Sequence, residues 1–332
     1  MAPDHGAYSK SRRSFCWTLA SVLVAPGVAV AQASKVRRIG VLEIGEPDTP
    51  EYIRKEAEPL RALGWAEGQN LLVERRYAND RYEALQALAE ELVRAKVEII
   101  VTGTTSATDA AKRATTTIPI VFGAADPVRF GLVASLARPG GNLTGVSLAS
   151  LDVAAKQLSL LKELLPRLQR IGVLSLAGNP YNRAGQPGQL DDIYQSLGLV
   201  PIDVEIDAAG EIGGAFQQLV ERRAQALVLS GGIWEHRLEI VDAAMKNGLP
   251  TLAINPDIVR EAGALIAYGP TDAEILRLRA EYIDRILRGA KPADLPVQQP
   301  TKFELVINLK TARALGLTIP KDLLLRADEV IR

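Results

Sequence analysis

The sequence predicts an α/β chain: two doubly wound parallel-sheet lobes joined by three crossings of the chain. Three observations carry this. Residues 97–145 read strand, Gly-bearing turn and helix twice in succession, with apolar Ile/Val runs at 98–101 and 118–122, turns at 102–106 and 123–127, and helices at 107–114 and 128–137. Such units in series are βαβ units, whose parallel strands gather their loops at one sheet edge. The plan then occurs a second time. The pentapeptide RIGVL at 38–42 recurs at 170–174, and Gly64, Gly103 and Pro119 find counterparts in Gly198, Gly231 and Pro250 at nearly constant displacement. Finally, 332 residues with 47% hydrophobic content supply two cores of ordinary domain size.

Residues 1–33 read as an export signal rather than as fold. Ser11-Arg12-Arg13-Ser14-Phe15 is a charged region with a twin-arginine pattern, and 16–30 is apolar but too short to span a membrane. Ala31-Gln32-Ala33 offers a small-x-small cleavage site. An ordinary secretory signal carrying two arginines is the alternative. No lipobox cysteine follows the apolar run, so the expected product is a soluble exported protein and not a lipoprotein. Cleavage removes the one Cys and one of the two His. The mature chain then has no disulfide, no thiol nucleophile and no Cys/His metal site. With 39 basic residues against 39 acidic, nothing draws the chain to nucleic acid.

The first lobe opens with a strand at 38–44, a Gly/Pro/Asp-rich turn at 45–50 and a helix to Leu63. Residues 70–77 alternate as a strand. Asn79 or Asp80 then caps a helix whose Tyr82, Leu85, Leu88 and Leu92 face inward. After the central units, Arg138-Pro139-Gly140-Gly141 ends the last helix and 142–147 leaves the lobe extended. A helix at 151–165 leads to second-lobe strands at 170–175, 200–206, 226–230, 250–254 and 265–268. Gly269-Pro270 breaks the last of these, and Thr271 or Asp272 caps a long helix to Arg288. Three prolines hold 289–300 extended, and a strand at 303–308, a short helix at 311–315 and a last strand at 323–331 complete the chain. Crossings near Val146, Gly269 and Pro296 assign 34–146 plus 270–296 to one lobe and 147–269 plus 297–332 to the other. Three crossings make a hinge that bends but hardly twists.

Four stretches carry a resemblance: DPVRFGLVASLARPGGNLTG at 126–145, ILRGAKPADLPV at 286–297, PTKFELVINLKTARALGLTIP at 300–320 and LLLRADEVI at 323–331. They resemble the periplasmic substrate-binding proteins of ABC transporters, in the subgroup related to tryptophan/tyrosine-type binding proteins, over about 36–331. The resemblance implies the type I periplasmic-binding fold, two Rossmann-like lobes that close on a small molecule and then dock on a membrane permease. It also implies a separate ATPase, since no Gly-x-x-x-x-Gly-Lys-Ser/Thr occurs in this chain. The chain departs from the family's usual serines in its first loop, Glu43-Ile44-Gly45-Glu46-Pro47, and in the loops at 178–181 and 230–234. The resemblance therefore carries the fold further than the ligand.

Site candidates follow from the rule that open α/β sheets bind at the carboxyl ends of their strands. Thr104, Thr105 and Ser106 stand where a strand meets a helix N-terminus, a place for a carboxylate or simply for N-capping. Asp126 before Pro127 is a helix start that can also face an ammonium group. Glu43, ending an apolar strand beside Gly45, calls for a cationic or hydroxylated ligand if it points into the cleft, and means little at a solvated rim. Asn179, Tyr181, Ser230, Trp234 and Asn255 offer hydrogen bonds and flat apolar walls from the second lobe, with capping or local packing as the alternative. Tyr268 lies at a crossing, where hinge packing is the simpler role. His236 lacks partners for metal or catalysis and is expected on a solvated helix face.

The reading is a solute-binding protein, not an enzyme, that needs no cofactor or metal and acts as a monomer on a small molecule such as an amino acid or aromatic carboxylate. A ligand sensor for a membrane receptor is the alternative. An exported hydrolase fits less well, because no Gly-x-Ser-x-Gly elbow is present and one isolated His cannot serve a triad.

Overall fold

The computed structural model describes residues 36–45, 49–148, 151–181, 188–206, 211–229, 233 and 236–332. The export signal expected at 1–33 lies outside them. The first lobe runs β1 (Arg37–Glu43), α1 (Pro50–Ala62), β2 (Leu71–Tyr77), α2 (Leu85–Arg94), β3 (Ile99–Thr102), α3 (Thr105–Ala114), β4 (Ile120–Ala124) and β5 (Leu143–Ser147). The second runs α4 (Leu151–Leu164), β6 (Arg170–Leu176), α5 (Gln189–Ser196), β7 (Val200–Ile206), α6 (Ile212–Glu221), β8 (Ala226–Leu229), α7 (Arg237–Lys246), β9 (Thr251–Ala253), α8 (Pro256–Ala262) and β10 (Ile266–Gly269). The chain closes with α9 (Asp272–Leu287), β11 (Glu304–Asn308), α10 (Leu309–Ala314), α11 (Lys321–Arg326) and β12 (Glu329–Ile331).

The strands form two sheets, β2-β1-β3-β4-β5 and β12-β11-β10-β9-β8-β6-β7. All pairs are parallel except β10 with β11. Both faces of each sheet are buried, which is why the central strands read as unbroken apolar runs. The repeated pentapeptide has one packing role in both copies. A Cβ on Gly40 would stand 2.8 Å from Leu92 of α2, and one on Gly172 would stand 2.6 Å from Leu219 of α6. Each glycine lets a helical leucine lie on its strand.

The chain changes lobe after β5, before α9, and again beyond Gln298. Val297 packs in the first lobe's core, and Gln298 bridges to Val146. The N-terminal half of α9 carries buried Leu278 and Arg279 against the first sheet, and the Tyr282 hydroxyl donates to the Pro296 carbonyl.

Three expectations are corrected. Residues 128–137 are turns, not a helix. The winding starts with Phe130 N–H on Asp126 O and Leu132 N–H on Pro127 O, but Gly131 sits at φ +65° and turns the chain back. The stretch expected as one strand at 323–331 is α11 followed by the short β12. Leu323 is buried on a helical turn that starts after Pro320. Asn79 and Asp80 cap no helix: both lie in the left-handed region, at φ 49° and 61°, and a short 3-10 turn at Tyr82–Ala84 precedes α2.

Candidate ligand-binding cleft

A doubly wound sheet opens a crevice where consecutive strands depart to opposite sides. In the first sheet that point lies between β1 and β3, whose register sets Leu42 beside Thr102 and brings Glu43 and Gly103 together at the edge. In the second it lies between β6 and β8, so the loop at 177–181 and, after β8, Ile233 and His236 flank it. The two crevices face each other. The Ser106 hydroxyl of the first lobe donates to Asn179 Oδ1 of the second at 3.1 Å.

On the first side, the Glu43 carboxylate lies against Gly103. A Cβ there would meet its oxygens at 2.8 and 2.9 Å, so glycine makes room for the acid. Arg279 reaches Glu43 at 3.8 Å and Glu56 at 3.7 Å. Its side chain is 6% exposed, whereas that of Glu43 is 21% exposed and is the member of the cluster nearer solvent. Burial pushes the Tyr52 hydroxyl well above its usual pKa, against the pull of Arg279 and with the push of Asp272, Glu43 and Glu56. Gly45 is buried, and its carbonyl accepts the Asn79 N–H at 3.0 Å. Of the three hydroxyls at the start of α3, Thr104 caps Ala107 N–H at 3.2 Å and Thr105 accepts Ala125 N–H at 3.2 Å. Only Ser106 reaches across. Asp126, at φ +37°, accepts the Arg129 N–H at 3.4 Å and starts a turn.

On the second side, Asn179 Oδ1 also accepts the Tyr181 N–H at 3.0 Å. The Tyr181 ring meets Phe130 of the first lobe edge-on, with centroids 4.9 Å apart and planes at 79°. Burial, with the Asp109 carboxylate that its hydroxyl bonds, raises the Tyr181 pKa to about 12. Asn255 caps α8 through Asp257 N–H at 2.8 Å and donates to Asp272 Oδ1 at 2.6 Å. The Asp272 carboxyl is raised to about 6, chiefly by burial and then by Asp257, with the Asn255 bond opposing. Tyr268 is taken up by the hinge: it stacks on Phe303 at 5.7 Å and its carbonyl accepts Gln157. Ser230 and Trp234 lie outside the described residues, as do Glu46, Pro47, Gly231 and Gly232.

The sequence reading missed the pairs that draw the lobes together. Lys55 of α1 meets Glu261 of α8 at 3.0 Å. Asp80, after β2, meets His236, before α7, at 3.0 Å. His236 is 9% exposed, so the expected solvated helix face is wrong: the side chain is buried and bonded to Asp80 of the first lobe. Two loop signals could have raised these residues, the Asn79-Asp80 pair and the place of His236 just past a strand's carboxyl end. A space of about 20 Å³ beneath α1 and α9, lined by Val41, Glu56, Arg75, Val101 and Arg279 among others, has room for a water and none for a solute. Among the described residues no group of three or more His, Cys, Asp or Glu is set to hold a metal, and no helix is long and apolar enough to cross a membrane.

Residues 38–331 match the family described as ABC transporter substrate binding protein. A tyrosine-binding protein of Clostridioides difficile is 30% identical over 290 residues, covering 86% of this chain and 82% of the relative. A conserved domain protein of Vibrio cholerae superposes with a TM-score of 0.79 at 28% identity, covering 89% of this chain and all (100%) of the other. An ABC domain from Streptococcus pneumoniae, solved in complex with L-Trp, gives a TM-score of 0.77 at 25% identity, covering 89% and 99% of the two chains.

Proposed function

Because the chain belongs to the ABC transporter substrate-binding proteins, which bind solutes rather than catalyse reactions, we propose that it captures an aromatic amino acid or related carboxylate between its lobes and delivers it to a membrane permease. Hinge closure is the mechanism. The ligand bridges two half-sites and favours the closed form by its differential affinity. The bending bodies are the two sheets with their helices, joined by the passages after β5, before α9 and beyond Gln298. The observation that carries this reading is the facing pair of crevices tied by Ser106 and Asn179. An amino acid fits the charges on offer. Its carboxylate suits the positive end of α3, and its ammonium suits Glu43 at the mouth of the first crevice. Export by the twin-arginine route, a periplasmic location, a monomeric state and a separate ATPase complete the proposal.

Thermal-shift screening of the purified chain against L-tyrosine, L-tryptophan, aromatic carboxylates, polyamines and sugars tests it. A true ligand at 100–1,000 times its Kd stabilises by about 3–4 kcal/mol. Glu43→Gln and Ser106→Ala should each weaken that shift while leaving the ligand-free melting temperature nearly unchanged. Stabilisation by none of the amino acids or carboxylates would remove the ligand class.

A further inference from the structure

We infer that His236 and Asp80 form a latch that holds the cleft shut at the edge farthest from the hinge. The position argues for it. Two of the chain's passages between lobes, after β5 and beyond Gln298, run beside β5 at one edge of the first sheet, whereas Asp80 follows β2 at the opposite edge. A bending hinge moves the far edge most. A contact there is made or lost on closure, while contacts beside the hinge change little.

Both partners are presented by fixed backbone. Asp80 sits in a left-handed turn clamped to the loop after β1: Asn79 N–H bonds Gly45 O at 3.0 Å and Asp80 N–H bonds Ile44 O at 2.7 Å. Two consecutive non-glycine residues at positive φ cost energy and persist only where the surroundings hold them. His236 is the residue before α7. Its N–H bonds the carbonyl of Ile233, which is 1% exposed, and its own carbonyl accepts Ile240 N–H at 2.9 Å. Nε2 of His236 meets Oδ2 of Asp80 at 3.0 Å, with the two side chains 10% and 11% exposed.

The contact joins residues of the two lobes, so it exists only while the lobes are together. Tyr82 backs the contact, packing against the cores of both lobes, with a Cβ on Gly178 falling 3.8 Å from its ring. Asp80 Oδ1 is buried and has no hydrogen-bond partner among the described residues. That unmet group limits what the contact contributes. The latch therefore tips the open–closed balance and leaves the ligand to complete it. Through Gly45 and Ile44 the same clamp ties the latch to the loop that carries Glu43.

Small-angle X-ray scattering of the ligand-free chain reads lobe separation without any ligand. The expected result is a wild-type profile matching the closed structure, and a larger radius of gyration in Asp80→Asn and His236→Gln, with the double variant no more open than either single. These near-isosteric changes preserve the turn and the helix start, and unchanged far-UV circular dichroism verifies folding. A wild type that already scatters as an open form, variants that scatter as the wild type, or additive opening in the double variant overturns the inference. With L-tyrosine or L-tryptophan as probe, the same variants should release the amino acid about five- to tenfold faster, the coupling of contacting residues expressed as a rate. If neither probe binds the wild type, the proposed ligand fails while scattering still decides the latch.

Discussion

The contacts within a lobe or at its hinge and the contacts across the cleft are built from similar residues and do different work. Arg279 pairs with Glu56 inside the first lobe, and the Asp272–Asn255 bond sits where the chain passes between lobes. Bending at the hinge should change these contacts little. Asp80–His236 and Ser106–Asn179 join residues 156 and 73 positions apart, across the gap itself. The first kind sets how stable the fold is. The second sets where the open–closed balance lies. Changes to the first kind should therefore appear in unfolding free energy, and changes to the second in ligand affinity.

The largest effect is expected at Arg279. Arg279→Met strands buried acids and should cost about 3–5 kcal/mol of stability in urea unfolding. A loss below about 1 kcal/mol would show that Glu43 and Glu56 do not depend on the guanidinium. Gly269 comes next. A Cβ there would overlap the Ile254 carbonyl oxygen, so Gly269→Ala should cost roughly 3 kcal/mol and lower the melting temperature by several degrees. If the alanine protein melts like the wild type, the passage into α9 is looser than described.

Asp272 adds a pH dependence to the hinge. In the fold it keeps its proton to about pH 6, against an ordinary value of 3.8. Ionising it costs the folded state, so stability declines as pH rises from about 4 to 6 and is level above that. The difference is about 2–3 kcal/mol between the ends of that window. Denaturation curves at pH 4.5 and 7 should show the wild type losing more stability over this range than Asp272→Asn. Equal losses in the two proteins would contradict the assignment.

The smallest effects belong to the contacts across the cleft and at the rim. Ser106→Ala removes one cross-lobe hydrogen bond and should weaken ligand binding by about 1 kcal/mol while sparing stability. Lys55→Ala breaks a pair whose lysine is 41% exposed, and should change either quantity by under about 0.5 kcal/mol. Titration calorimetry and thermal melts on the two variants separate these outcomes. A Ser106 variant that unfolds as easily as the Arg279 variant would erase the distinction between the two kinds of contact.

Much of the architecture was legible because it rests on local signals. The apolar runs of β1, β3 and β6 are long enough to be read directly, and the glycine inside each RIGVL marks the same helix contact in both lobes. Where periodicity misled, a backbone detail won. Val128, Leu132, Val133 and Leu136 are spaced like a helix face, yet Gly131 turns the chain back on itself. The leucines at 323–325 suit a strand, yet the chain winds after Pro320 and buries Leu323 from a helical turn. The candidate residues were legible one at a time and not as a set. Thr104 and Asn255 are caps, as local rules state. What brings Tyr181 to Phe130 or His236 to Asp80 is the facing of two lobes, and no short window of sequence contains it.

The account stands on a solute held between the two crevices. Hydrogen exchange of the chain alone, and saturated with the amino acid that most raises its melting temperature, tests this directly. The account predicts added protection at 43–45 and 103–106 in one lobe and at 177–181 in the other, rising together with ligand. Protection confined to a single lobe, or binding that leaves these amides unchanged, would contradict it.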